Sequence, residues 1–198
     1  MLDRLTVSAL LKAVILATAL VVIAGFSFRA WDSYDRLQSA NRIVKVANAS
    51  ADVFKAMNGL RADRSTSARS VNADQPISPD VETYLREIRG TLMPALSRAL
   101  TLLPTIDIPQ QTSLVAELDR LNKLLITQQT EFWTEVAKPK ASRRLALAQD
   151  YTKTEDGLLS TLDRLSAILA ASINHQDATI DQLLAIKQAA WLLRNTAG

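Results

Sequence analysis

Asn58 to Ser70 reads NGLRADRSTSARS and carries Arg61, Arg64 and Arg69 inside a helix-forming stretch. On the three-four spacing of its neighbours, Arg64 falls on the inward stripe. A buried guanidinium without a partner is too costly to tolerate, so it must pair with a carboxylate, reach the rim of the fold or meet an anion. Arg61, one turn earlier, adds a second guanidinium, and the hydroxyls of Ser65, Thr66 and Ser67 follow. Together these groups could hold a carboxylate or an oxyanion. The i±4 neighbours of Arg64 are Leu60 and Ala68, and Asp63 points to a different face on this spacing. Any protein carboxylate must therefore come from another helix. A wet, frayed helix end would account for Arg64 without any ligand.

A weak echo extends the idea. Offset by 130, Phe54 to Ala68 aligns with Leu184 to Gly198, so that Arg64 matches Arg194 and Thr66 matches Thr196. Arg61, Arg64, Thr66 and Arg194 are the candidate ligand-binding residues. A second candidate is a polar layer in an otherwise apolar seam, Ser172, Gln176 and Thr179. Polar seam residues commonly set register or partner choice; a ligand-facing layer is the other reading. No catalytic residue or cofactor is expected. His175 is the only histidine and there is no cysteine, so neither a histidine cluster nor a cysteine site for a metal can form within one chain. There is no glycine-rich phosphate loop and no nucleophile–base–acid set. The chain is not expected to be an enzyme.

These residues need helices to position them. Among 198 residues there are 5 glycines and 6 prolines, aromatics make up 5%, and Ala and Leu abound. That composition favours helix almost throughout. The net charge of +3 is spread through interleaved acidic and basic residues, which does not make a nucleic-acid footprint.

Ala13 to Phe28 contains no charge, and with Leu5 to Leu11 the apolar stretch has the length of a membrane span, about 20 residues. Lys12 can snorkel to an interface, and Trp31 and Tyr34 stand where an aromatic belt would lie. A cleaved signal peptide is the competing reading, with Ala24-Gly25 as small residues. The run continues into helix with no turn signal, which favours a retained anchor over residues 1–30 and a helical domain over 31–198. Lys/Arg counting sets Arg4 and Lys12 against Arg29, Arg36, Arg42 and Lys45 and would place the N-terminus outside. Long domains, however, translocate largely regardless of charge.

Ile43, Val46, Ser50, Val53, Met57, Leu60, Arg64, Ser67 and Val71 form a heptad-like seam, widened by Ala47, Phe54 and Ala68. The first helix should run to about Asn72. Ser78, Pro79, Asp80 and Glu82 make a helix start. A second seam follows at Val81, Leu85, Ile88, Leu92, Ala95, Ala99 and Leu102, with a kink expected from Gly90 and Pro94. After a break at Pro104 to Pro109, Leu114, Leu118, Leu121, Leu125, Gln128 and Phe132 make a third seam. A fourth, from Leu158, Leu162, Leu165 and Leu169, runs to the last turn. Short connections imply antiparallel neighbours. The expected fold is all-α: a transmembrane helix continuing into an extended antiparallel four-helix bundle.

The segments MLDRLTVSALLKAVILATALVV, WDSYDRLQSANRIVKVANASADVFKAMNGLRADRSTSARSVNAD, KPKASRRLALAQDY and INHQDATIDQLLAIKQAAWLLRNTAG resemble the N-terminal part of bacterial methyl-accepting chemotaxis proteins. MNGLRADRSTSA is also similar, more loosely, to the arginine-containing first helix of nitrate- and nitrite-sensing domains. The resemblance implies a cytoplasmic N-terminus, an inner-membrane anchor and a periplasmic helical sensor that dimerises and takes a small solute. The expected partners are membrane lipid, a second copy and a small anionic ligand, with no nucleic acid. The family also has a second span, a HAMP linker and a signalling coiled coil, which are not found here, so the chain reads as an N-terminal portion. Two rivals remain: an anchored helical scaffold whose seams serve oligomerisation only, and a secreted helical domain.

Overall fold

The structure, a computed structural model, describes residues 7–173 and, beyond them, Gln182, Ile186 and Ala189. Among the described residues it is all-helical. Four α-helices, α1 Val7–Asn72, α2 Pro79–Leu102, α3 Gln111–Val136 and α4 Ala146–Ile173, are joined with two 3-10 turns, Leu103–Thr105 and Lys140–Ser142. The chain divides into two units, Met1–Val44 and Lys45–Gly198. Trp31, Tyr34, Leu37 and Val44 of the first unit are all exposed.

In the first unit α1 carries the apolar run. Leu16, Leu20, Val21, Ile23, Phe26 and Phe28 are all exposed. By length and composition this helix is apolar enough to cross a membrane, with a mean hydropathy of 1.2 and no burial over its most apolar window.

In the second unit the seams pack together. Val46, Val53, Leu60, Leu85, Leu92, Leu118, Leu125, Leu158, Leu162, Leu165 and Leu169 are fully buried, and each such side chain contributes roughly 1.5–3 kcal/mol. Around Phe132, a core of Val71, Leu85, Val136, Leu147 and Ala148 is flanked by Ile77, Val81 and Trp133. Ser78 caps α2, accepting from the Val81 N–H at 3.4 Å, with Pro79 at the first helical position. α2 remains one helical element through Gly90 and Pro94. Pro94 removes the N–H that would bond the Gly90 carbonyl, but both residues are on the exposed face, where water can satisfy that carbonyl.

Two seams depart from expectation, each at one charged position. On α1 the buried positions are Val46, Ala49, Asp52, Val53, Ala56, Met57, Leu60, Asp63, Ser67, Ser70 and Val71, which include Val46, Val53, Met57, Leu60, Ser67 and Val71 of the expected seam. The stripe widens on the side of Ala49 and Ala56 rather than Ala47, which is exposed. Asp63, not Arg64, is the inward residue. On α2, Arg89 rather than Ile88 is buried. Both shifts have one cause: Asp63 and Arg89 neutralise each other, so each can occupy a core position that neither could hold alone.

Candidate functional site

Leu60, Asp63 and Ser67 follow one another at three-four spacing on α1, so all three face inward. Ser67 Oγ donates to Asp63 Oδ1 at 2.8 Å. From α2, Arg89 Nε reaches Asp63 Oδ1 at 3.1 Å and Oδ2 at 3.2 Å, while Nη2 reaches Oδ1 at 3.0 Å. From α3, Gln129 Nε2 donates to Oδ2 at 3.3 Å. From α4, the Tyr151 hydroxyl donates to Oδ2 at 2.7 Å. All four helices therefore converge on one carboxylate that is 0% exposed.

Arg89 Nη2 also donates to Ser67 Oγ at 2.9 Å and to Tyr151 Oη at 3.1 Å. Its guanidinium lies 4.6 Å from the Phe132 ring centre and 4.9 Å from that of Trp133. The aromatic faces stabilise the cation where water is excluded. Burial and the Asp63 carboxylate both raise the Tyr151 pKa, so its hydroxyl keeps its proton and remains a donor.

Glu155 lies one turn beyond Tyr151 on α4 and is 0% exposed. Neither of its carboxyl oxygens has a hydrogen-bond partner among the described residues. Burial, then the nearby Asp63 carboxylate, pushes its pKa up to about 10. At neutral pH the cluster thus holds one carboxylate, one guanidinium and one uncharged acid. It is sealed from solvent, so its chemical capacity is to fix charge and to hold a proton.

Of the residues picked out in sequence, Arg61, Arg64 and Thr66 lie on α1 beside this cluster. Arg64 is half-exposed and pairs with Asp156 of α4 at the rim, so its carboxylate does come from another helix. Arg61 and Thr66 are half-buried on α1. Ser65 Oγ donates to the Ala62 carbonyl at 3.3 Å and Ser70 Oγ to the Thr66 carbonyl at 2.8 Å. These two hydroxyls bond their own helix, while Ser67 joins the core cluster. Ser172 is half-buried and donates to the Leu169 carbonyl at 2.8 Å. Gln176, Thr179 and Arg194, like His175, lie outside the described residues. Sequence reasoning missed Asp63, Arg89, Gln129, Tyr151 and Glu155. The available signal was a pair of opposite charges, Asp63 and Arg89, each one residue off a seam that three-four spacing could place either way.

Sequence reasoning also missed Arg143, 6% exposed, which lies outside this cluster. Its guanidinium donates to the carbonyls of Ser70, Val71 and Ala73 at 3.1, 3.1 and 2.7 Å. It also reaches Gln75 O at 2.9 Å, Val136 O at 3.5 Å and Lys138 O at 2.8 Å. Carbonyls at the C-terminal ends of α1 and α3 lack partners within their own helices, and one planar cation serves both ends. Next to it, Glu135 accepts from Lys138 Nζ at 2.6 Å and from the Arg144 N–H at 2.8 Å. These bonds hold its pKa below the usual carboxylate value.

Compared with known protein families, with curated proteins and with solved structures, the chain finds no match.

Proposed function

We propose that this chain is the sensor part of a chemoreceptor-type membrane protein, non-enzymatic, in which a helical domain senses a small solute and passes a helix displacement through its anchor. The observation that carries the reading is the Asp63 cluster. Side chains of all four helices meet at one buried charge, so a change at any helix is felt by the others. The apolar run of α1 supplies the means of crossing a membrane.

The helices are read as an antiparallel bundle. In support, Asp52 pairs with Arg98 and Asp63 with Arg89, so the later residue on α1 takes the earlier one on α2. Gly59 and Leu92 touch between these two pairs. The bundle is placed in the periplasm of a bacterial inner membrane, with lipid around the anchor and a second copy packed along α1 and α4. Arg64, with Arg61 and Thr66, is the proposed contact for a small anion, which would compete with Asp156 for the guanidinium.

The test is a chimera in which this chain replaces the sensor portion of a chemoreceptor with measurable kinase output. Small carboxylates and oxyanions are expected to change that output, and Arg64→Ala to abolish the change while the chimera stays folded and in the membrane. A membrane-inserted chimera indifferent to every solute tried would overturn the reading. It would favour the anchored scaffold, to which the internal pairing of Arg64 with Asp156 already lends some weight.

A further inference from the structure

Glu155 is fully buried on α4, with neither oxygen bonded, while every other polar member of the Asp63 cluster has at least one partner. A buried polar group with no partner costs free energy that packing alone does not demand. Arg89 Nη1 is likewise buried without a hydrogen bond, although Nε and Nη2 of the same guanidinium are fully engaged. One core therefore contains an idle donor on α2 and an idle acid on α4, beside a carboxylate on α1 that already holds the donor's other edge.

We propose that Glu155 is a proton-binding site whose occupancy sets the packing of α4 against α1 and α2. With the proton on, Glu155 is neutral and Arg89 belongs to Asp63, Ser67 and Tyr151. When the proton leaves to solvent, a second carboxylate appears in a site with one guanidinium, and it takes the idle Nη1. Arg89 is then shared between Asp63 and Glu155, or Glu155 turns outward toward water. Either outcome moves α4 relative to its neighbours, because Tyr151 and Glu155 are one turn apart on that helix.

The groups facing Glu155 weigh against easy ionisation. Asp63 of α1 and Asp156 of α4 oppose a new negative charge, and Arg89 of α2 and Arg64 of α1 favour it. Tyr151 of α4 stays neutral, and α3 brings the uncharged Gln129 to the same Asp63 carboxylate. Burial is the largest effect and raises the pKa from 4.5 to about 10. A folded-state pKa above the unfolded value means that Glu155 contributes full stability below pH 4.5 and loses it as pH rises toward about 10. Through that window the folding constant falls by about tenfold per pH unit. The inference does not rest on the receptor reading: a scaffold with this core would respond to protons in the same way.

The experiment uses the full chain in lipid nanodiscs, with Trp31 and Trp191 changed to Phe so that Trp133, stacked on Arg89, reports alone. The carbon-13 carboxyl resonance of Glu155, assigned by its loss in Glu155→Gln, is followed from pH 4 to pH 11 together with Trp133 fluorescence. The expected result is a midpoint roughly 3–5 units above the other glutamates, with a Trp133 transition at the same pH that vanishes in Glu155→Gln. A resonance titrating with the other glutamates would overturn the proton site. A shifted resonance with no Trp133 transition, or a transition that survives in Glu155→Gln, would overturn the link to packing. Should Glu155→Gln fail to fold, selective labelling of the unsubstituted chain decides by the coincidence of the two midpoints.

Discussion

Arg89 meets Asp63 edge-on, with Nε 3.1 and 3.2 Å from the two carboxylate oxygens and Nη2 3.0 Å from Oδ1, where the side chains are 8% and 0% exposed. Removing one partner strands the other charge in the core. Asp63→Ala or Arg89→Ala is expected to cost roughly 3–5 kcal/mol. The double variant Asp63→Leu/Arg89→Met should cost less than either single one, since no charge is left behind. Denaturant unfolding of the full chain in detergent checks this; single variants within about 1 kcal/mol of the parent would mean that water reaches the pair.

Arg64 and Asp156 make the contrasting pair, with side chains 39% and 54% exposed. An ion pair this wet is worth about 0–1 kcal/mol. Arg64→Ala should therefore leave the melting temperature nearly unchanged, which makes it a clean probe of anion binding in the chimera. A large loss of stability would show that Arg64 is structural.

Gly59 and Gly90 should respond to alanine with opposite signs. A Cβ on Gly59 would lie 2.9 Å from Leu92 Cβ, an atom near the backbone that cannot swing away, whereas a Cβ on Gly90 meets nothing within 4 Å. Gly59→Ala is expected to destabilise by roughly 1–3 kcal/mol through overpacking, against its better helix propensity. Gly90→Ala should stabilise by up to about 1 kcal/mol. Equal effects at the two positions would refute the close approach of α1 and α2.

Arg143→Ala should expose its role at the helix ends. Several buried carbonyls of α1 and α3 would lose their donor, at a cost of roughly 3 kcal/mol. Arg143→Lys should recover only part of this, because an ammonium cannot reach both ends with a planar fork. Hydrogen exchange is expected to quicken at the last turns of α1 and α3 first. Quickening spread evenly over the helices would count against a local role.

On the acid side the pH dependence runs through Glu135. Its pKa is held below 4.5 by Lys138 and the Arg144 N–H. A lowered folded-state pKa gives stability that is present above 4.5 and lost as pH falls through the folded value. Glu135→Gln should flatten the acid limb of the stability profile and leave the decline above pH 4.5 to Glu155. An acid limb of unchanged slope in that variant would assign the loss to other carboxylates.

The helices were legible in the sequence because their causes are local. Leu114, Leu118, Leu121 and Leu125 declare α3 by spacing, Ser78-Pro79 declares the start of α2 by capping chemistry, and Ala13 to Phe28 declares the apolar run by composition alone. What only the tertiary structure decided is which charged residue goes inside. Three-four spacing lets either Asp63 or Arg64 follow Leu60, and a lone charge at a core position argues against itself whichever is chosen. Asp63 is admitted only because Arg89, 26 residues away on α2, arrives with the complementary charge, and Tyr151 on α4 with a hydroxyl. Glu155 was invisible for the same reason: on its own helix it reads as a surface carboxylate, and its burial is set by the three helices packed around it. Propensity, capping and periodicity act over a few residues of chain, whereas desolvation and charge pairing act over a few ångströms of space.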